Sequence, residues 1–154
     1  MRLFFALGIL VFLCACTASR PAGRTTGDKV ADEAQTFVGT PYLYGGNTPE
    51  GFDCSGLIYY VYQDSAGLQL PRTTKAMGSM TAPLVSKNQL QRGDLLFFRT
   101  EAGSAISHAG IYVGDGRFVH SPTSGKYVRV DSIANSYWRK SYVKALRVAD
   151  ENAP

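Results

Sequence analysis

Three side chains in this 154-residue chain are of types that do covalent chemistry together: the thiol of Cys54 and the imidazoles of His108 and His120, the only two histidines present. A thiolate attacks an acyl carbon, and an imidazole within hydrogen-bond reach can take the thiol proton and later return it to the leaving group. Asp53-Cys54-Ser55-Gly56 places the thiol at the expected start of a helix. There the roughly half unit of positive charge at the helix N-terminus favours thiolate over thiol. Gly51 and Gly56 on either side would let a substrate approach closely. The same three residues admit a second chemistry, since one cysteine and two histidines could supply three ligands to zinc. No fourth ligand or supporting motif accompanies them, so no metal and no cofactor is expected.

Cys54 stands out because the other two cysteines belong to the N-terminus. Met1-Arg2 is a minimal positive start, and Leu3 to Leu13 is an apolar run too short to span a bilayer. The run ends in Leu13-Cys14-Ala15-Cys16 and the chain turns polar at Thr17. This resembles a bacterial lipobox, which implies a signal peptide over 1–15, cleavage before Cys16 and lipidation of that thiol. A cut near Ala15 or Ala18 by an ordinary signal peptidase is the alternative. With Cys14 removed and Cys16 acylated, Cys54 is the one free thiol of the mature chain. A lone thiol in an oxidising compartment is a liability unless it is buried or used.

The elements that must position these groups follow from periodicity and punctuation. Residues 16–27 read as a flexible tether rich in Thr, Ser, Gly and Ala. A single domain is expected over 28–149. Val30, Ala31, Ala34, Phe37 and Val38 predict a helix from Asp28, as N-cap, to Gly39. Thr40 to Gly51 is a turn-rich structured loop. Asp53 then caps a second helix through about Ala66, with Leu57, Ile58, Val61 and Tyr62 on one face and Gly67 at its end. Beyond Pro71 and Pro83 strands are expected at Leu95–Arg99, His108–Val113, Arg117–Ser121, Tyr127–Val130 and Val143–Val148. Helices first and strands afterwards predict an α+β fold, N-terminal helices packed on an antiparallel sheet. The net charge of +4 comes without any basic run, which argues against nucleic acid as a partner.

The hairpin register decides whether the histidines can cooperate. A three-residue loop Gly114-Asp115-Gly116 sets Val113 opposite Arg117 and Gly110 opposite His120. His108 and His120 then share a sheet face as diagonal neighbours, about 7–8 Å apart at the backbone. A two-residue Asp-Gly turn would put them on opposite faces. The three-residue form is the expectation. Taken alone, His120 is as readily a satisfied polar histidine.

Set in order, Gly39-Thr40-Pro41-Tyr42-x-Tyr44-Gly45-Gly46, Asp53-Cys54-Ser55-Gly56, Leu70-Pro71-Arg72-Thr73, Gly93-Asp94-Leu95, His108-Ala109-Gly110-Ile111-Tyr112 and Phe118-Val119-His120 resemble the NlpC family of bacterial cell-wall peptidases. The resemblance runs from about Asp28 to Val148. It departs from the usual pattern at Ala109, where Val is commoner, and at Ser121-Pro122, where Ala is typical. It implies a circularly permuted papain-like fold, with Cys54 as nucleophile, His108 as general base and acid, and His120 orienting His108. Tyr42 matches a tyrosine placed near the oxyanion, although a packed loop aromatic reads as well. Asp53, Ser55 and Arg72 match residues that touch substrate, though Asp53 also serves as a cap and Arg72 suits a structural hydrogen-bonding role. The implied reaction is hydrolysis of a peptide bond in peptidoglycan stem peptides, D-γ-glutamyl to diaminopimelate. The implied setting is the cell envelope, with a monomer tethered to a membrane by its lipid. Thr17, rather than aspartate, after the lipid cysteine points to the outer membrane of a cell that has one. The rival from another class is a non-catalytic envelope lipoprotein, a binding module on the same scaffold.

Overall fold

The computed structural model describes residues 23–102, 106–123 and 126–149. The expected leader, the lipidation candidate Cys16 and most of the expected tether lie outside the described residues.

The first helix, α1, spans Thr26–Thr36, its cap three residues earlier than expected. Its N-cap is Thr25, whose side chain accepts from the Asp28 N–H while the Asp28 carboxylate accepts from the Thr25 N–H. Asp28 is thus the returning partner of a capping box and not the cap. At the other end the cap is Phe37, and Gly39 takes its left-handed φ of 95° in the turn beyond the helix. A two-stranded hairpin, β1 (Asn47–Thr48) and β2 (Gly51–Phe52), follows in the loop. Helix α2 runs Cys54–Ala66, capped by Asp53 and ended by Gly67 in the left-handed conformation, as periodicity and capping chemistry predict.

A short helix α3 (Thr74–Gly78) and a short strand β3 (Leu84–Val85) precede β4 (Leu95–Phe98), β5 (His108–Gly114), β6 (Arg117–His120), β7 (Arg129–Ser132), α4 (Ser136–Ser141) and β8 (Tyr142–Leu146). The sheet is wholly antiparallel in the order β3-β8-β4-β5-β6-β7. Tyr127, expected to start a strand, makes only an isolated bridge to Pro41. The sequence reading missed α3 and α4, five and six residues long, because neither is long enough to show a helical period. Helix α4 interrupts the run of strands, so the order is not simply helices and then strands.

Strand β4 is central and buried on both faces, which explains its unbroken Leu-Leu-Phe-Phe. Leu95 and Phe97 join the core beneath α1 and α2, with Val30, Leu57, Ile58 and Val61. Leu96 and Phe98 face the other way, into a second cluster with Phe118, Trp138 and Ala145. Trp138 comes from α4, so the missed helix covers the second sheet face.

The β5–β6 hairpin corrects the expected turn and keeps the expected register. Its loop has two residues, Asp115 and Gly116, both at positive φ (52° and 68°), with Gly114 paired to Arg117. This is the turn whose twist matches that of the strands. The register then shifts between Tyr112 and Gly114, and beyond that bulge Tyr112 pairs with Phe118 and Ile111 with Val119. The extra residue at Val113 thus restores the facing that a plain two-residue turn would have inverted.

Glycines near Cys54 serve chain packing. A Cβ at Gly56 would lie 1.9 Å from the Gly46 carbonyl oxygen, and one at Gly51 would lie 2.7 Å from the Leu43 Cβ. The expected role in admitting substrate therefore gives way to close approach of the 45–46 loop to the start of α2. Gly56→Ala is expected to cost about 1–3 kcal/mol through this overpacking. Urea denaturation checks it, and an unchanged midpoint would mean that the loop yields freely.

Candidate active site

The start of α2 is tied in place by one carboxylate. Asp53 Oδ1 accepts from the Gly56 N–H at 2.6 Å and from the Ser55 hydroxyl at 3.0 Å, and Oδ2 accepts from the Gly45 N–H at 3.0 Å. Arg72 closes the cluster. Its Nη1 donates to Asp53 Oδ1 and Ser55 Oγ at 3.0 and 2.9 Å, and its Nη2 to Asp53 Oδ2 and the Gly45 carbonyl at 2.9 and 2.8 Å. Asp53, Ser55 and Arg72 border the cleft, yet their polar atoms are bonded to one another and to the loop. These bonds hold Cys54, the first residue of α2, in place.

Cys54 is partly buried, with its Sγ 3.3 Å from the Thr74 hydroxyl at the start of α3. It opens on a cleft of about 710 Å³ that Tyr42, Tyr44, Lys75 and His108 also line. Tyr42 sits beside the cluster through a bridge to Phe52 and an N–H bond to the Lys126 carbonyl at 2.7 Å. Ser121, at a position where the resemblance departs from the usual pattern, is buried and donates to the Phe52 carbonyl at 2.7 Å. That bond ties the end of β6 to the entrance of α2.

On the sheet, His108 Nε2 lies 2.8 Å from His120 Nδ1, with the rings at 83°. The expected diagonal pair therefore exists, on the face that also carries Phe98 and Phe118. Gly110 makes room for it, since a Cβ there would come within 3.1 Å of the His120 Cβ. Beyond His120, its Nε2 meets Asp131 Oδ2 at 3.0 Å. The same oxygen accepts from Trp138 Nε1 at 2.9 Å and Arg129 Nε at 3.2 Å. Trp138 also stacks on His108 at 5.4 Å. Sequence reasoning passed over Asp131, Arg129, Trp138 and Thr74. An Asp, an Arg and a Thr on short elements carry no spacing signal, though the lone tryptophan was a cue that something large needed covering. This geometry also bears on the zinc alternative. Both ring nitrogens of His120 and one of His108 are turned to protein partners, and no group of three or more His, Cys, Asp or Glu among the described residues is placed to hold a metal.

Burial dominates the electrostatics. It pushes the Cys54 thiol up, and the Asp53 charge adds to that, while the Thr74 hydroxyl draws it back. The lowering expected at the start of a helix persists in the bond from the Ser55 N–H, but desolvation of the thiolate outweighs it. Burial, then His120 and Arg129, depresses His108 to about 3. Burial also depresses His120, to about 4 against the pull of Asp131. Partial burial alone would raise Asp131, but bonds from Trp138 and His120 and the Arg129 charge hold it below the usual carboxylate range.

Folded imidazoles with depressed pKa values bind fewer protons than unfolded ones. Their contribution to stability is complete above the unfolded value of about 6.5 and is lost as pH falls through about 4 and 3, at up to about 1.4 kcal/mol per pH unit for each histidine. Glu33, which burial raises to about 7, acts in the opposite sense between about 4.5 and 7. The difference between wild type and His108→Gln therefore isolates His108. Thermal melts from pH 7 to 4.5 are expected to show wild-type stability falling relative to the variant on acidification; parallel curves would refute it.

Comparison with known proteins agrees with this architecture. The NlpC/P60 family matches residues 39–147. Murein DD-endopeptidase MepH of Escherichia coli (strain K12) is 42% identical over 113 residues, which cover 72% of this chain and 42% of MepH. The chain spans less than half the length of several curated relatives it matches. A further relative, probable endopeptidase NlpC of the same organism, is 36% identical over 156 residues and is covered from end to end, with 96% of this chain. The crystal structure of the NlpC/p60 domain of the peptidoglycan hydrolase SagA superimposes with a TM-score of 0.67 at 33% identity, over 79% of this chain and 97% of that one. By its matched length and by its fold, the chain belongs to the NlpC/P60 family.

Proposed function

We propose that this protein is a cysteine peptidase that hydrolyses a peptide bond in peptidoglycan stem peptides. The observation that carries the reading is a single cleft bordered by both the Cys54 thiol and His108, with His108 braced from behind by His120. Members of the family named as murein endopeptidases support the substrate class.

In the proposed reaction the resting pair is a neutral thiol and a neutral imidazole, because burial opposes either charge alone. As Cys54 Sγ attacks the carbonyl carbon, its proton passes to His108, and the two charges form together and offset one another. The oxyanion is held by the Cys54 N–H and the Tyr42 hydroxyl. His108 gives the proton to the departing amine, leaving a thioester on Cys54. Water then attacks, with His108 taking and returning its proton, and the thiol is restored. No step calls for a metal.

Two bonds are in view. The family resemblance favours D-γ-glutamyl to diaminopimelate, while MepH bears the name of an enzyme acting between two D-centres. Mass spectrometry of digested muropeptides separates them by the fragments released. Cys54→Ala and iodoacetamide are each expected to abolish cleavage, a chelator to leave it intact, and Tyr42→Phe to slow turnover by about 10²-fold. A Cys54→Ala protein that still cleaves muropeptides would sink the reading.

Placement in the envelope by a lipid on Cys16 belongs to the same proposal. Two or three acyl chains anchor stably where one binds marginally. Cys16→Ala is expected to move the protein from the membrane to the soluble fraction and to end labelling by a radioactive fatty acid. Persistence of both would refute the anchor.

A further inference from the structure

The hydrogen bonds behind His120 determine where protons can sit, and hydrogen-bonding chemistry alone is enough to trace them. An indole N–H only donates and an ionised carboxylate only accepts. Asp131 Oδ2 receives Trp138 Nε1 at 2.9 Å and Arg129 Nε at 3.2 Å, and His120 Nε2 is its third partner at 3.0 Å. His120 Nε2 therefore carries a hydrogen. A neutral imidazole has one N–H, so His120 Nδ1 presents a lone pair. His108 Nε2, 2.8 Å away, must donate to it. The remaining nitrogen of His108, Nδ1, is then the one with a free lone pair.

We propose that Asp131 is a positioning residue that sets the tautomers of both histidines and so places the basic lone pair of the site on His108 Nδ1. This rests on the peptidase reading for its purpose, but the tautomers follow from the hydrogen bonds themselves. When the Cys54 S–H bond breaks and an N–H bond forms at His108 Nδ1, no other proton has to move. His108 Nε2–H and His120 Nε2–H already point down the chain towards the carboxylate, which faces the new imidazolium across one ring. Arg129 and Trp138 hold that carboxylate ionised and in register. Were Asp131 absent, His120 could carry its hydrogen on Nδ1 and donate to His108 Nε2, moving the His108 hydrogen to Nδ1 and removing the base.

The test uses the mature chain labelled with ¹⁵N-histidine. Long-range ¹H–¹⁵N spectra at neutral pH are expected to show both rings as the Nε2–H tautomer. An Nδ1–H tautomer on His108, or a doubly protonated His120, would overturn the proposal. Asp131→Asn retains an acceptor oxygen, which the Trp138 N–H orients, and removes the charge. It is expected to keep both tautomers, to lower kcat by about 10²-fold with KM unchanged, and to slow Cys54 alkylation by iodoacetamide at pH 7 by about tenfold. Asp131→Leu removes the acceptor as well and is expected to add the Nδ1–H form of His120 to the spectrum. Wild-type kcat and alkylation rate in Asp131→Asn, or a wild-type spectrum in Asp131→Leu, would refute the proposal; because Asp131→Asn keeps the network's shape, its rates decide the matter even if the leucine variant does not fold. The alkylation and tautomer measurements need no substrate. A wild-type protein that meets both but leaves peptidoglycan uncut would therefore refute the peptidase reading and still support this one.

Discussion

Two imidazoles share a 2.8 Å hydrogen bond in the interior, on the face of the sheet opposite the main helices. That contact requires His108 and His120 to point the same way from adjacent antiparallel strands, and a slip of one residue would send one ring to the other side. The bulge at Val113 prevents the slip by absorbing the residue that the tight Asp115-Gly116 turn leaves over. The rest of the site is arranged around that register. Gly110 gives room opposite His120, Trp138 closes the face, and Asp131 on β7 meets the outer nitrogen of His120.

The Cys54 thiol is positioned by a separate device at the border of the cleft that it shares with His108. Asp53 caps α2, binds the loop N–H of Gly45 and is gripped by Arg72, so one carboxylate holds Cys54, the loop and the segment before α3 in a fixed relation. Removing any partner leaves a partly buried charge with its bonds unmade, which is costlier than the bond itself is stabilising. Ser121 joins the two devices through its bond to the Phe52 carbonyl, from the end of β6 to the residue before the cap. Thiol and imidazole are thus set by two local networks linked by a short tie.

Burial shapes the chemistry that this frame allows. A helix N-terminus suggests a standing thiolate, but the site is closed enough that thiol and imidazole each resist charging. Any charge formed on that pair arises within a site whose distant end is an ionised aspartate.

Much of this was legible in the residues. Helix α2 followed from its apolar face, from Asp53 as cap and from Gly67 as stop, since those signals are local and each has its own chemistry. The Cys54, His108 and His120 set followed from the scarcity of those residue types and from a period-two argument that needs only the strands. Tertiary structure alone decided the rest. Strand periodicity does not reveal a bulge, so the two-residue turn and the preserved register had to be seen together. Helix α4 is too short for a period, so Trp138 could not be placed over the histidines. Asp131, Thr74 and the saturation of Arg72 depend on contacts between segments distant along the chain. Desolvation of Cys54 is likewise a property of everything packed around it, which is why the residues single out the thiol and only the fold sets how readily it ionises.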